Sequence, residues 1–239
     1  MPGKSPAGKK AKPITANAEI AVAIVSGGLD SVTLAYLLAE EGYRLRLLAF
    51  DYGQRHKKEL DYARLCAERL DARFDAVDIR SVGGLLSGSA LTDDIDVPHG
   101  HYAAENMEVT VVPNRNAIML SIAYGVAVAE NATLVSAAMH TGDHYVYPDC
   151  RPQFTEAFAS MQEKAVEGFG HERLSLYTPF IESGKEEIVK VGARLGVPFE
   201  ETWSCYEGGE LHCGLCGTCT ERKESFELAG VPDPTRYRA

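Results

Sequence analysis

Two short runs of this 239-residue chain carry residue types whose spacing can do chemistry. The first is Ser26-Gly27-Gly28-Leu29-Asp30-Ser31, set between an apolar run (residues 20–25) and an amphipathic stretch (residues 32–40). Glycines lack Cβ atoms, so their N–H groups can approach an oxyanion closely and their φ can be positive. Ser26 and Ser31 add hydroxyl donors, and a helix starting here turns its unpaired N–H groups and positive dipole end on the same anion. The dipole alone contributes about 0.3–1 kcal/mol at an exposed site, so several N–H bonds must share the work. Asp30 can cap the helix or help to position a cation. No Lys precedes the serine as a Walker A loop requires, and the run is not GxGxxG, which disfavours a dinucleotide.

The second run is Cys205-x7-Cys213-x2-Cys216-x2-Cys219, four thiols within 15 residues. Zinc prefers four thiolates at tetrahedral corners about 2.3 Å away, and two-residue spacers let neighbouring sulfurs turn toward one ion. Gly208, Gly209, Gly214 and Gly217 supply the tight backbone of such a knuckle. An iron–sulfur cluster would use the same four thiolates. A redox CxxC pair normally opens a helix after a strand in a thioredoxin-like fold, a context missing here. With all four corners filled by protein, no open position remains for catalysis. A structural zinc site contributes about 10–16 kcal/mol, ample for a segment with almost no core. His212, beside Cys213, is a fifth candidate ligand but reads rather as a surface histidine.

These runs need a scaffold. Residues 20–25, 45–50, 74–79, 134–138 and 174–178 read as strands, several of them continuous apolar runs of the kind buried in parallel sheets. Residues 32–40, 57–70, 116–130, 152–168 and 185–195 read as helices between them. The alternation predicts an α/β fold, a doubly wound, mostly parallel sheet covered on both faces. Residues 83–108 lose the pattern and read as a long functional loop or lid. The expected organisation is a disordered basic tail (residues 1–18), an α/β domain (residues 19–201) and a small zinc module (residues 202–239).

Composition narrows the partners. Asp and Glu number 34 against 24 Lys and Arg, a net charge of −10, although Lys4, Lys9, Lys10 and Lys12 crowd the start. An acidic body disfavours a main role gripping duplex DNA or tRNA, so no stable nucleic-acid partner is expected. The opening MPGKSPAGKKAKP has no apolar core and is not a secretory signal. No apolar run approaches the roughly 20 residues of a bilayer span. Four of the six cysteines crowd the last 35 residues, which a disulfide framework would not explain. A reducing, cytoplasmic setting is expected.

The loop resembles the SGGxDS loop of the pyrophosphatase-type (PP-loop) ATP enzymes, which adenylate a carboxylate or carbonyl-type oxygen and release pyrophosphate. The resemblance implies that Val25, Ser26, Gly27, Gly28, Leu29, Asp30, Ser31, Val32 and Thr33 surround ATP with Mg2+. Further segments narrow the likeness: Phe50-Asp51-Tyr52-Gly53-Gln54-Arg55-His56, Val112-Pro113-Asn114-Arg115-Asn116, Tyr147-Pro148-Asp149-Cys150-Arg151 and Thr202-Trp203-Ser204-Cys205-Tyr206. Together with the four-cysteine tail they resemble 7-cyano-7-deazaguanine synthase over nearly the whole ordered chain. That family is implied to convert 7-carboxy-7-deazaguanine, ammonia and ATP to the nitrile, with Zn2+ on Cys205, Cys213, Cys216 and Cys219 and a homodimeric state.

By the same resemblance Asp30, Ser31, Lys185 and Arg115 are catalytic, and Asp51 joins the ATP set. Tyr52, Gln54, Arg55, Asn116, Asp143, Tyr147, Asp149 and Arg151 would meet the acid. Arg115 precedes a helix, so its fork and that helix N-terminus can hold a carboxylate together. Cys150 has no base beside it and reads as a packed or pocket thiol. Two departures stand out: the stretch Ser136 to Asp143 lacks the T-G-x-x-x-x-D run of many members, and Pro-Asn-Arg-Asn replaces Pro-Gly-Arg-Asn. A ligase joining the activated acid to another amine, a tRNA-thiolating enzyme using Cys150, and an RNA-binding zinc module are the competing readings.

Overall fold

A computed structural model describes residues 18–86, 88–102 and 105–239. The expected basic tail, residues 1–18, lies outside them except for Ala18. Five strands alternate with helices in the order β1 (Ile20–Ile24), α1 (Leu29–Glu40), β2 (Arg44–Asp51), α2 (Lys58–Arg69), β3 (Arg73–Asp78) and α3 (Arg80–Gly83). After a long loop follow α4 (Arg115–Ala129), β4 (Leu134–Ser136), α5 (Pro152–Ala165), β5 (Ser175–Tyr177), α6 (Lys185–Leu195) and α7 (Gly217–Ala229). Every pairing is parallel, in the spatial order β3-β2-β1-β4-β5. The doubly wound sheet expected from the alternation is present.

The central strand shows why its sequence is apolar throughout. Ala21, Ala23 and Val25 face α1, α2 and α6 through Leu34, Leu38, Ala63 and Ile188. Val22 points the other way, onto Leu120, Ala123 and Ala127 of α4. Both faces are covered, so no position of β1 alternates to polar. The chain leaves β1 for β2 and β3 on one side, then crosses to β4 on the other. That reversal opens a crevice beyond the carboxyl ends of β1 and β4.

The C-terminal residues were read as a knuckle with almost no core; they hold more. Helix α7 packs along α6, and Phe226, 1% exposed, meets Phe199 edge to face with centroids 4.9 Å apart. Its buried face comprises Gly217, Cys219, Glu221, Arg222, Ser225 and Phe226, mostly polar or small, so hydrophobic periodicity could not disclose it. The loop before α4 is anchored by backbone: Arg55 N–H donates to Leu91 O at 3.0 Å, and Ala90 and Leu91 are buried.

Candidate active site

A cavity of about 260 Å³ fills the crevice. Val25, Ser26, Gly28, Leu29, Asp30 and Ser31 line it at the start of α1. No described side chain caps that helix: its N-cap is Gly28, and Asp30 stands in the first turn. The first-turn N–H groups therefore remain for an anion. The Ser31 hydroxyl donates to Gly28 O (3.2 Å) and accepts from Ser26 N–H (3.1 Å), closing the loop on itself. Gly27 has φ +84°, and a Cβ there would stand 2.2 Å from Glu59 O and 2.8 Å from Ala63 N, both backbone atoms of α2. Trp203 N–H holds the loop from the other side, donating to Gly27 O at 2.8 Å.

Lys185, the first residue of α6, enters the same cavity. Its Nζ lies 3.2 Å from Asp30 Oδ2 and 2.6 Å from Glu221 Oε2 on α7. Burial works against its charge, but Asp30, Glu221 and Asp143 outweigh that and raise it well above the usual lysine value. His140, 1% exposed, accepts at Nδ1 from Gly142 N–H (3.1 Å) and sets Nε2 3.8 Å from Asp30 and 3.6 Å from Asp143. Asp30 Oδ1 is buried without a partner among the described residues.

A second group of lining residues surrounds Arg115. Its Nη1 donates to Tyr52 Oη at 3.3 Å and its guanidinium stands 5.7 Å from the Tyr52 ring. Burial opposes the Arg115 charge, while Tyr52, Tyr206, Tyr147 and Cys150 favour it and raise its pKa. No described carboxylate forms an ion pair with it. Burial likewise pushes Tyr52 up to about 12 and Cys150 well above the ordinary thiol range. The Thr110 hydroxyl donates to Met107 O at 2.7 Å and so receives that of Tyr147 at 2.6 Å. Asn116 donates to Cys150 Sγ at 3.1 Å. Cys150 is thus a pocket thiol held in its neutral form.

Other expected residues stand elsewhere. Val32 and Thr33 turn into the core between α1 and α6. Asp51 ends β2 outside the cavity, paired with Lys57 (3.3 Å) and Arg80 (3.8 Å). Gln54 is fully buried; it accepts from Tyr52 N–H and donates to Phe50 O and Glu59, each at 2.9 Å. With those bonds made, Gln54 braces the turn and does not line the cavity. Arg55 points outward and donates to Ile95 O at 2.7 Å. Arg151 donates to His144 O at 2.8 Å on the exposed side. Asp149 accepts from Asn116 N–H at 3.0 Å and so takes the helix N-terminus that Arg115 was expected to share with a carboxylate.

Sequence reasoning passed over Glu221, His140, Thr110, Glu59 and the lid residues Tyr102 and Met107, all of which line the cavity. Tyr206, from the Trp-Ser-Cys-Tyr segment, lines it too.

The four cysteines converge. Their sulfurs lie within 4.8 Å of one another, all buried, with Cys213 and Cys219 3.8 Å apart. A tetrahedron with bonds of about 2.3 Å has an edge of about 3.8 Å, so the set fits one ion. Backbone N–H groups of Cys213, Leu215 and Cys216 donate to the sulfurs at 3.2–3.3 Å, which favours thiolates. His212 is not at the surface: it is 6% exposed, packs on Trp203 at 4.3 Å and accepts from Ser204 N–H at 3.1 Å. Burial, with Arg222 adding, lowers it to about 4.

Comparison with known proteins agrees with this geometry. At the level of fold, the chain resembles the NMN synthetase of Francisella tularensis (TM-score 0.50, 17% identity, 90% of this chain and 79% of that one). It also resembles the U34-tRNA thiolase NcsA of Methanococcus maripaludis with its [4Fe-4S] cluster (TM-score 0.50, 14% identity, 89% of this chain and 65% of that one). Much closer are proteins named 7-cyano-7-deazaguanine synthase. That of Chelativorans sp. (strain BNC1) is 61% identical over 214 residues, covering 90% of this chain and 91% of the relative. That of Rhizobium meliloti (strain 1021) is 59% identical over 216 residues, with the same coverage. The family model for the queuosine biosynthesis protein QueC matches residues 20–230. With the ATP-type loop, the sheet and the cysteine cluster all inside that match, the chain belongs to the QueC family.

Proposed function

We propose that this enzyme converts 7-carboxy-7-deazaguanine and ammonia to 7-cyano-7-deazaguanine at the expense of two ATP. One observation carries the reading: a single cavity combines a phosphate loop at an uncapped helix start with a half-buried arginine that has no carboxylate partner among the described residues. A carboxylate is a poor electrophile, so its oxygen attacks the ATP α-phosphorus, forming an acyl adenylate and pyrophosphate. Ammonia adds to the acyl carbon, AMP leaves and a proton is lost, giving the amide. The amide oxygen attacks a second ATP, pyrophosphate leaves again, and loss of AMP and a proton yields the nitrile.

The chain's own residues position and shield. The loop N–H groups and Lys185 stabilise the charge that develops on the leaving pyrophosphate. Arg115 and the Tyr52 hydroxyl orient the acid; Arg115 is the residue type suited to a planar carboxylate. Tyr102 and Met107, from the loop before α4, close the cavity against water, which would otherwise hydrolyse the adenylate. Asp30, with its free buried oxygen, and Asp143 suit Mg2+, which when bound offsets phosphate charge. The four thiolates suit a structural Zn2+, and elemental analysis of purified protein should find one zinc per chain and little iron.

The decisive assay supplies the acid, ATP and ammonium and resolves the products by mass. Nitrile with AMP and pyrophosphate is the expected result; ADP and phosphate without AMP would refute the mechanism. Omitting ammonium should leave no nitrile, while a different stable conjugate would point to another amine as acceptor.

A further inference from the structure

Glu221 has no place in the reaction just described, yet it is 7% exposed and reaches the ATP side of the cavity. Its position is fixed from both directions along α7. Two residues before it stands Cys219, in the buried cysteine cluster. The residue after it, Arg222, is fully buried and donates to Thr202 Oγ1 (2.8 Å), Phe199 O (3.0 Å) and Ser204 Oγ (3.2 Å), and pairs with Asp233 (3.4 Å). The chain also leaves room for this carboxylate: a Cβ on Gly142 would stand 2.6 Å from Glu221 Oε1.

The carboxylate so held meets Lys185 at 2.6 Å, and Asp30 of the phosphate loop meets the same ammonium at 3.2 Å. A lysine ammonium has three donors on a flexible four-carbon stem. One donates to Glu221, and Asp30 pairs with the same ammonium from a different element, so two carboxylates hold it at the loop. We infer that Glu221 is a positioning residue for ATP: the cysteine-anchored helix delivers it to Lys185 and holds that ammonium beside the phosphate loop. The cysteine segment and the nucleotide site then form one mechanical unit. The inference rests on the reading of the loop as the ATP site.

A double-mutant cycle on the full-length, metal-loaded protein tests it, read as the dissociation constant of Mg2+-α,β-methylene-ATP by calorimetry. Glu221→Ala should weaken binding about tenfold, and Lys185→Ala by more, as pairs in one network do. Because Glu221 acts through Lys185, the double variant should match Lys185→Ala within about twofold. Glu221→Gln keeps an oxygen for the Lys185 N–H and should stay within about threefold of the parent. Metal content should be the same in all five proteins. Fully multiplying effects, unchanged or tighter binding by Glu221→Ala, a Gln variant as weak as Ala, or loss of metal from Glu221→Gln would each overturn the inference. A parent protein that fails to bind the analogue would instead overturn the ATP reading.

Discussion

Two groups of residues line the cavity, and they are built by different means. Around the phosphate loop, six consecutive residues from Ser26 to Ser31 shape the site with their backbone, and the fold supplies Lys185 and Glu221 to it. Around Arg115, side chains arrive from separate segments: Tyr52 after β2, Thr110 before α4, Tyr147 and Cys150 after β4, and Tyr206 beside the cysteine cluster. The first group rests on the loop backbone, closed by the Ser31 hydroxyl and joined to Lys185 through Asp30. The second depends on individual side chains, which in the proposed reaction would meet the acid.

The largest effect should come from the backbone group. Gly27→Ala would place a methyl group 2.2 Å from Glu59 O and 2.8 Å from Ala63 N, in a helix that cannot give way, and at φ +84°. Displacing the loop by about 1 Å should cost about 10²-fold in kcat/KM for ATP. Gly53→Ala is the control: φ is +92° but nothing lies within 4 Å of the new methyl group. It pays only the left-handed strain, about 1–2 kcal/mol in stability, and should leave ATP binding as it was. Nucleotide titration and thermal unfolding of both variants separate packing from strain. If Gly27→Ala binds ATP normally, the backbone account of this group is wrong.

The side-chain group should answer differently. Arg115→Lys keeps a charge but loses the planar fork. A charge-assisted hydrogen bond contributes about 1.5–3 kcal/mol, so the KM for the acid should rise about 10–100-fold. Affinity for the ATP analogue should stay unchanged. Measuring both constants on one preparation sharpens the contrast, and a parallel loss of ATP affinity would merge the two groups into one.

The same contrast decides what the sequence disclosed. Contiguous features were legible: apolar runs without alternation gave β1 and β2, the loop stood in one hexapeptide, and the cysteine spacing announced its cluster. Glu221, His140 and Thr110 were not, because each matters only through a residue 30 or more positions away or through a turn that folding creates. Helix α7 escaped because its buried face is polar, Arg222 being satisfied by Thr202, Ser204 and Phe199 rather than by apolar neighbours. Gln54 and Asp149 fell in suggestive motifs, but their hydrogen bonds go to backbone and, for Gln54, also to Glu59: one braces a turn, and the other caps α4.

The smallest expected effect concerns the Pro-Asn-Arg-Asn departure, and here backbone and side-chain roles meet at one residue. Asn114 has φ 58° and ψ 20°, the left-handed region, and its side chain caps nothing. Glycine adopts this conformation freely and asparagine is next best, so Pro-Gly-Arg-Asn and Pro-Asn-Arg-Asn specify the same turn. The next residue, Arg115, is aimed by that turn. Asn114→Gly should therefore shift stability by only a few tenths of a kcal/mol and leave the KM for the acid unchanged. Asn114→Val forces a β-branched residue into the same region, at a cost of about 1–3 kcal/mol if the turn persists. If the turn instead relaxes, the guanidinium moves, and the KM for the acid should rise with no change in ATP affinity. Thermal unfolding read beside the two binding constants distinguishes these outcomes. A Gly variant impaired in acid binding would show that the Asn114 side chain, and not its backbone, matters at this site.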